Sequence, residues 1–292
     1  MQNDYSYYQE SNQFNLRGIA LSGLISLFAA LLLGYFYTIL TLLIPLIYVM
    51  VFITIGLGFV MGLIVKFSIK LCHIRHQQSK LGLAIASGLF ANYFQWAAFL
   101  AYVFLGSFPS FTDYLSHLGW IFSPKEFFMV IHEINKSGMW SLFGVQVNGL
   151  LLAIIWIFEF AIILAVPILM VFQTTVYPYS EKLGKWYKKY TLFDDFEPIF
   201  STQQMIPALQ TDALSAIKNL QPGSGWRYSK IHILYLEEEE NQYLSIEKFY
   251  IENRGAGKKN QEMLINNLSI DKRTADLIMK NFKHKRENFD VF

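Results

Sequence analysis

Residues 18–65 read GIALSGLISLFAALLLGYFYTILTLLIPLIYVMVFITIGLGFVMGLIV and contain no Asp, Glu, Lys, Arg or His. As one straight helix, at about 1.5 Å per residue, this run would be about 72 Å long. The hydrocarbon core of a bilayer is only about 30 Å thick. The run must therefore fold back on itself, and it predicts two membrane spans and an integral membrane protein.

The charges are unevenly distributed along the chain. The 292 residues are 53% hydrophobic and carry a net charge of +2, but Lys and Arg are sparse before residue 173 and frequent after it. This asymmetry predicts a membrane half and a water-exposed half. The N-terminal tail, 1–17, is polar and lacks the basic start of a signal peptide, so we expect the first span to be retained.

Two further apolar stretches bring the number of predicted spans to four. Proline cannot continue the helical hydrogen-bond ladder, so Pro45, with Thr38 and Thr41 before it, predicts the turn between the first two spans. After residue 172 the chain is never apolar enough to span again. The predicted fold class is membrane all-α, a four-helix transmembrane bundle within 18–172, followed by a small cytoplasmic α+β domain. The predicted spans are 18–39, 44–65, 81–106 and 149–172.

The positive-inside rule orients these spans in the cell inner (cytoplasmic) membrane. The connection 66–80 carries four Lys or Arg and no acid, which places it in the cytoplasm. The loop 107–148 carries two Lys against three acids, which places it outside. Lysines again follow the fourth span. All three observations predict that the N-terminus and the C-terminus are cytoplasmic.

The outer loop contains one clear helix signal. Ser123-Pro124-Lys125-Glu126 fits a capping box with proline at the first helical position, and Gly138 would end the helix. Apolar residues then recur at helical spacing. We expect an amphipathic helix at 124–137 that lies on the outer membrane surface or caps the bundle.

The segment 173–190 is basic and aromatic. Its stretch Ser180–Tyr190, SEKLGKWYKKY, is typical of a juxtamembrane helix at an anionic lipid surface. A linker that merely obeys the positive-inside rule explains the lysines equally well. The residues expected at the membrane interface are Lys182, Lys185, Trp186, Lys188 and Lys189.

The C-terminal segment 191–292 reads as a small α+β domain. A β-hairpin with an acidic turn is predicted at 226–236 and 243–251, flanked by helices at 203–220 and 271–282, and a further helix is predicted near 261–267. A two-stranded hairpin alone is marginal, so its helices, the membrane surface or a partner must support it.

One acid lies within a predicted span. Glu159 is about ten residues into the fourth span, where a carboxylate costs a few kcal/mol and normally faces the bundle interior. Gln95 and Thr54 fall at matching depth, and Asn92 lies one helical turn from Gln95. The functional interpretation is a proton, ion or substrate site. The structural alternative is a protonated acid that bonds to Gln95 or Asn92 and holds helices together.

Other motifs indicate little chemistry. The GxxxG pair Gly58 and Gly62 favours packing within the bundle over dimerisation, although a homo-oligomer stays open. The single cysteine, Cys72, allows no intramolecular disulfide. The histidines match no metal-ligand spacing, and no catalytic, cofactor or nucleic-acid signature is present. We therefore expect no cofactor, no metal and no nucleic-acid partner.

The layout resembles that of uncharacterised bacterial four-span membrane proteins with a cytoplasmic tail. In such proteins a Pro-aromatic-Cys-Glu-x-x-Cys-like element is expected after the last span. Here Pro178-Tyr179-Ser180-Glu181-Lys182-Leu183 stands at that place without the cysteines. The metal or redox role that such cysteines would imply is therefore not supported. The resemblance implies a layout and no activity.

Three functions are compatible with these sequence features. The first is a non-enzymatic scaffold or anchor whose cytoplasmic domain binds a protein partner. The second is a transporter or channel component that uses Glu159. The third, a membrane enzyme, needs more convergent polar groups than the sequence offers. A hydrated cleft at Glu159 would favour transport, and dry packing would favour a structural role.

Overall fold

A computed structural model describes residues 7–11, 13–44, 46–138, 140–142, 145–172, 177–223, 225–251 and 259–287. The chain forms two compact units. One is built on Ser11–Thr174. The other combines the residues up to Glu10 with the chain from Thr175 to Asp290.

The first unit is built on four helices, each long and apolar enough to cross a membrane. Their helical ends are α1 Leu16–Leu43, α2 Ile47–Leu71, α3 Gln77–Leu105 and, after five shorter elements, α6 Gly149–Phe172. The main contacts join α1 to α2 and α3, and α6 to α2 and α3, so that α1 and α6 lie across the bundle from each other.

Helices α1 and α2 run further than the sequence indicated. Thr38 and Thr41, predicted in a turn, lie inside α1, where their hydroxyls donate to the carbonyls of Gly34 and Thr38. Pro45 lies outside the described residues. The basic connection predicted at 66–80 shrinks to five residues, because α2 continues to Leu71 and α3 begins at Gln77. Lys66 and Lys70 lie toward the C-terminus of α2, where cations interact favourably with the helix dipole.

Small residues set the close approach of these helices. A Cβ atom on Gly34 of α1 would lie 2.9 Å from the backbone nitrogen of Gln95 on α3. The GxxxG pair of α2 meets α6: a Cβ on Gly58 or Gly62 would run into Val166 or Met170 respectively. The motif therefore packs helices within this bundle, as its sequence context favoured.

The outward surface of the bundle is strongly apolar. In the most apolar 18-residue window of α6, only 11% of residues are buried inside the unit. Phe52 of α2 is 74% exposed, and Ile157 and Phe158 of α6 are each 65% exposed. A monomer in water rarely exposes an apolar surface of this extent.

The chain between α3 and α6 forms α4 Phe111–Ser116, a 3₁₀ helix His117–Phe122, α5 Pro124–Ser137 and a hairpin of β1 Trp140–Leu142 with β2 Val145–Val147. Helix α5 has the bounds expected for the amphipathic helix, but its predicted capping box is wrong. Ser123 makes no side-chain cap bond, and the capping box instead joins Ser110 to Asp113 at α4.

The second unit is a five-stranded antiparallel sheet in the order β8 (Lys259–Asp271), β7 (Asn241–Ile251), β6 (Arg227–Tyr235), β5 (Lys188–Leu192) and β9 (His284–Arg286). Its core packs Ile231, Ile233 and Ile246 of the sheet against two helices. The elements are β3 Tyr179–Ser180, β4 Lys185–Trp186, β5 Lys188–Leu192, α7 Thr202–Lys218, β6 Arg227–Tyr235, β7 Asn241–Ile251, β8 Lys259–Asp271, α8 Lys272–Asn281 and β9 His284–Arg286.

Two helix predictions in this unit are wrong. The stretch 261–267 lies within β8, and Ser180–Tyr190 contributes β3, β4 and most of β5 rather than a juxtamembrane helix. The sheet accordingly begins before residue 191, the boundary predicted from the sequence. Strand β5 lies between β6 and β9, and its backbone hydrogen bonds to both strands outweigh the local helical pattern.

An N-terminal segment completes this unit. Tyr7 forms an antiparallel bridge with Leu268 of β8, and the backbone N–H of Tyr8 donates to the carbonyl of Asn267 at 2.9 Å. The Tyr8 ring meets Tyr243 edge to face at 5.4 Å. Part of the N-terminal tail is therefore a sheet-edge segment.

Candidate functional site

Glu159 faces α1 across the bundle, and its partner is a tyrosine. The hydroxyl of Tyr37 donates to Glu159 Oε1 at 3.3 Å and lies 2.9 Å from Thr54 Oγ1. Thr54 Oγ1 also donates to the carbonyl of Met50 at 2.8 Å. The three side chains thus form one hydrogen-bonded group that joins α1, α2 and α6.

Protonation of Glu159 would reverse the direction of these bonds. The Tyr37 hydroxyl has one hydrogen and two acceptors within reach, Glu159 and Thr54. With Glu159 ionised, Tyr37 donates to the carboxylate, and the single hydrogen of Thr54 goes to either Tyr37 or the Met50 carbonyl. With Glu159 protonated, the acid can donate to Tyr37, Tyr37 to Thr54, and Thr54 to Met50. The same geometry therefore accommodates both states of the acid.

A cavity of about 210 Å³ reaches Glu159 from one end of the bundle. Thr41, Met50, Tyr102 and Leu152 line it, and each lies within three residues of an end of its helix. Glu159 lies ten residues into α6, about 15 Å further along the bundle. The cavity therefore extends from the end where α1 joins α2 to the acid.

Aromatic rings form much of the cavity wall. Trp96 of α3 and Trp156 of α6 meet edge to face, with ring centroids 4.9 Å apart. Phe99 packs edge to face on Trp96 at 5.6 Å. Tyr102 also lines the cavity, and Trp156 lies one helical turn from Glu159 on α6.

The cavity lining among the described residues contains one acid, Glu159, and no Lys, Arg or His. The Lys and Arg of the four long helices lie toward the opposite end of the bundle. Measured along the helix axes, Lys66 is about 18 Å from the level of Thr54 and Lys80 about 22 Å from that of Gln95. The protein places no counter-ion beside this carboxylate within the described bundle.

The predicted polar layer is assembled only in part. Thr54 joins the Glu159 group through Tyr37, and Gln95 lines the same cavity. The amide of Asn92 donates to Gly88 O at 2.9 Å and Phe160 O at 3.5 Å, and Asn92 lines a separate groove of about 430 Å³. The expected bond from Glu159 to Gln95 or Asn92 is replaced by the bond from Tyr37.

Sequence reasoning missed Tyr37 because it placed the turn at Thr38. With α1 extended to Leu43, Tyr37 lies well inside the helix and is buried. The usable signal was its spacing. Gly34 follows Ala30 by four residues, and Tyr37 and Thr38 follow Gly34 by three and four, so all of them lie on the small-residue face of α1. An aromatic hydroxyl on an interior face needs a partner, and Glu159 is the acid available there.

The basic interface residues lie in the second unit. Lys185 pairs with Glu238 at 2.8 Å, and this bond holds the pKa of Glu238 below its ordinary value. Lys189 pairs with Glu287 at 2.7 Å. Lys182 and Lys188 are exposed, and Trp186 packs on the Tyr179 ring. The residues thus lie at strands and a turn, with two of the lysines already in ion pairs.

Within the part of the chain that the structure describes, no three His, Cys, Asp or Glu side chains converge on a potential metal site. No protein-family model matches the chain, and comparisons with curated proteins and with solved structures return no match. The Glu159 cavity is therefore the feature from which a function can be inferred.

Proposed function

We propose that this chain is a multi-pass protein of the cytoplasmic membrane whose four spans enclose a solute site at Glu159, as a transporter or channel component requires. Four helices of 24 to 29 residues match or exceed the bilayer core in length. Their exposed apolar surface suits lipid contact. Both termini face the cytoplasm in this proposal, and an even number of spans fits the bridge between Tyr7 and Leu268.

The observation that carries the proposal is the cavity that reaches Glu159. A carboxylate used only to hold helices together would be expected in dry, close packing. Here the acid and the Gln95 side chain border a space large enough for several water molecules or a small solute. The reversible bonds through Tyr37 allow the acid to gain or lose a proton without rearranging the helices.

Aqueous access to this cavity is directly testable with cysteine chemistry. Cys72 is buried, and a Cys72→Ala background would leave single introduced thiols as reporters. We expect Gln95→Cys and Thr41→Cys to react with a membrane-impermeant maleimide in the full-length protein in sealed vesicles. Phe52→Cys on the lipid-facing side of α2, at the depth of Thr54, is the matched control and should stay unreactive.

A Gln95 position unreactive from both sides of the vesicle would contradict the proposal and favour a structural role for Glu159. Glu159→Gln adds a second measurement in the same vesicles. It keeps the hydrogen-bonding shape and removes the ionisable acid, so it should abolish proton or solute flux through the protein and leave maleimide labelling at Gln95→Cys unchanged.

A second candidate function is the scaffold or anchor. The observation that favours it is the part of edge strand β8 away from Asn267 and Leu268, where Tyr7 and Tyr8 pair, because edge strands offer backbone groups that can pair with another chain. A cytoplasmic protein or a second copy of this chain could add a strand there. Capture experiments should use the segment 175–290, and partner binding that survives a Lys-rich replacement along β8 would argue against edge pairing.

A further inference from the structure

We propose that the Glu159 cavity binds a small organic cation, held between the aromatic rings of Trp96 and Trp156 and the carboxylate of Glu159. The inference rests on the proposed function, because it assumes that the cavity is a solute site, and it adds the chemical class of the solute. Three features of the cavity support it: its charge, its aromatic lining and the small number of its oxygen ligands.

The charge of the cavity favours a cation. Glu159 is the only carboxylic acid among the described lining residues, and that described lining contains no Lys, Arg or His to neutralise it. An ionised carboxylate in an apolar site is costly unless a partner of opposite charge compensates it. A cationic solute supplies that partner, whereas an anion would be repelled.

The aromatic part of the cavity lining has the chemistry that binds ammonium groups. Indole faces attract cations more strongly than other aromatic rings do, and aromatic cages recognise quaternary ammonium ligands. Trp96 and Trp156 meet at 83°, with the edge of one indole against the face of the other, and both rings also line the cavity. Phe99 and Tyr102 extend this surface toward the mouth of the cavity.

The oxygen count argues against a bare metal ion. Calcium takes six to eight oxygen ligands, and magnesium needs a near-octahedral set. The side-chain oxygens of the lining belong to the Glu159 carboxylate, the Gln95 amide and the hydroxyls of Tyr37, Thr41 and Tyr102, and Tyr37 is already committed to Glu159 and Thr54. A weakly hydrated organic cation needs one carboxylate and several rings.

The test compares choline with its neutral isostere 3,3-dimethyl-1-butanol, in which carbon replaces the charged nitrogen. Binding to the full chain in lipid nanodiscs is measured by isothermal titration calorimetry. We expect choline to bind at least about 10-fold more tightly than the isostere. A desolvated cation that contacts both an aromatic face and a carboxylate supports a difference of this size. Equal affinity of the two ligands, or binding of neither, would overturn the inference.

Three variants locate the site. Glu159→Gln and Trp156→Leu should each weaken choline binding by about 10-fold or more. Phe158→Leu, an aromatic-to-aliphatic change on the exposed face of the same helix, should leave the affinity unchanged. Retention of full choline affinity in Glu159→Gln would overturn the assignment. The ligand comparison on the wild-type chain stands even where a variant fails to fold.

The two proposals fail in different ways. If Gln95→Cys reacts with the impermeant maleimide but choline binds no better than its isostere, the organic-cation inference fails and the solute site stands. If Gln95→Cys is unreactive from both sides, the cavity is closed to solutes and both proposals fail.

Discussion

At the scale of single residues, the sequence singled out the acid but not its partner. Glu159 is conspicuous because any carboxylate in an apolar run is costly. Tyr37 is inconspicuous because tyrosine is also common at a membrane interface. Whether Tyr37 lies at the interface or inside the bundle depends on how far α1 continues. A local pattern cannot reveal a contact between residues 122 positions apart.

Replacement of Tyr37 tests this contact. Tyr37→Phe keeps the ring but removes the donor to Glu159 and the link to Thr54, so we expect the bundle to lose about 1 kcal/mol of stability. Denaturant titration followed by far-UV circular dichroism would measure the change. Tyr48→Phe is the control, since Tyr48 is 77% exposed. Equal effects of the two substitutions would contradict the role given to Tyr37.

A second residue-scale prediction concerns Glu287 and pH. Partial burial opposes ionisation of Glu287, but bonds from Lys189 and Thr191 and the charge of Lys189 outweigh it and hold its pKa below the ordinary value of 4.5. A lowered pKa in the folded state stabilises the fold above pH 4.5, and this contribution is lost as the pH falls through the folded-state pKa.

Glu287→Gln should therefore destabilise the β5–β9 pairing at pH 7 by about 1 kcal/mol, a small value because the pair is partly exposed. Amide hydrogen exchange in β5 and β9 would report the difference. We expect the two proteins to become more alike as the pH is lowered below 4.5. A difference that grows on acidification would contradict the sign of this argument.

At the scale of elements, the predicted helices are wrong where pairing between strands outweighs the local spacing of apolar residues. Strand β8 has 13 residues against 11 in β7, so two extra residues are accommodated, at register shifts between Leu244 and Glu247. These shifts break the alternation that identifies a strand and leave apolar residues at helix-like intervals. Long amphipathic helices and the β6–β7 hairpin have no such interruption, and the sequence indicated them well.

Asn267 makes one of these irregularities possible. It adopts a φ of 56°, and its N–H donates to Ser245 Oγ at 2.9 Å while the Ser245 hydroxyl donates back to Asn267 Oδ1 at 3.2 Å. Asparagine tolerates this left-handed conformation better than most residues. The side-chain bond holds the bulge against β7.

Asn267→Val should destabilise the sheet by about 1–2 kcal/mol, because a β-branched residue is strained at this φ and the bond to Ser245 is lost. Asn267→Gly, which relieves the strain but not the lost bond, should fall between valine and the wild type. Urea unfolding of the segment 175–290 would rank the three. A glycine variant less stable than the valine variant would show that backbone strain is not the main cost.

At the scale of the whole molecule, hydropathy revealed four apolar helices because each is continuous in sequence and its signal is local. The five-stranded sheet escaped prediction because β5 pairs with strands about 40 and 95 residues away. The domain boundary was placed at 191, inside β5, for the same reason. The sequence of a basic segment such as Ser180–Tyr190 does not distinguish a helix on a lipid surface from strands of a sheet.

This boundary predicts the behaviour of two fragments. The segment 175–290 retains the whole of β5 and the Tyr187, Leu234 and Leu236 cluster, so we expect it to unfold cooperatively in urea. The segment 191–292 cuts through β5, so β6 and β9 lose most of their shared neighbour. We expect it to lack a cooperative transition. Equal cooperativity of the two would show that β5 is dispensable to the domain.

The pairing of Tyr8 with Asn267 also has a consequence for how the chain is made. These partners are about 260 residues apart, and all four apolar helices are synthesised between them. At about 5–20 residues per second, Tyr8 leaves the ribosome roughly 13–50 s before Asn267 does. Tyr7 and Tyr8 must therefore remain available until β8 emerges, and their pairing with Asn267 and Leu268 forms only after all four apolar helices have been synthesised.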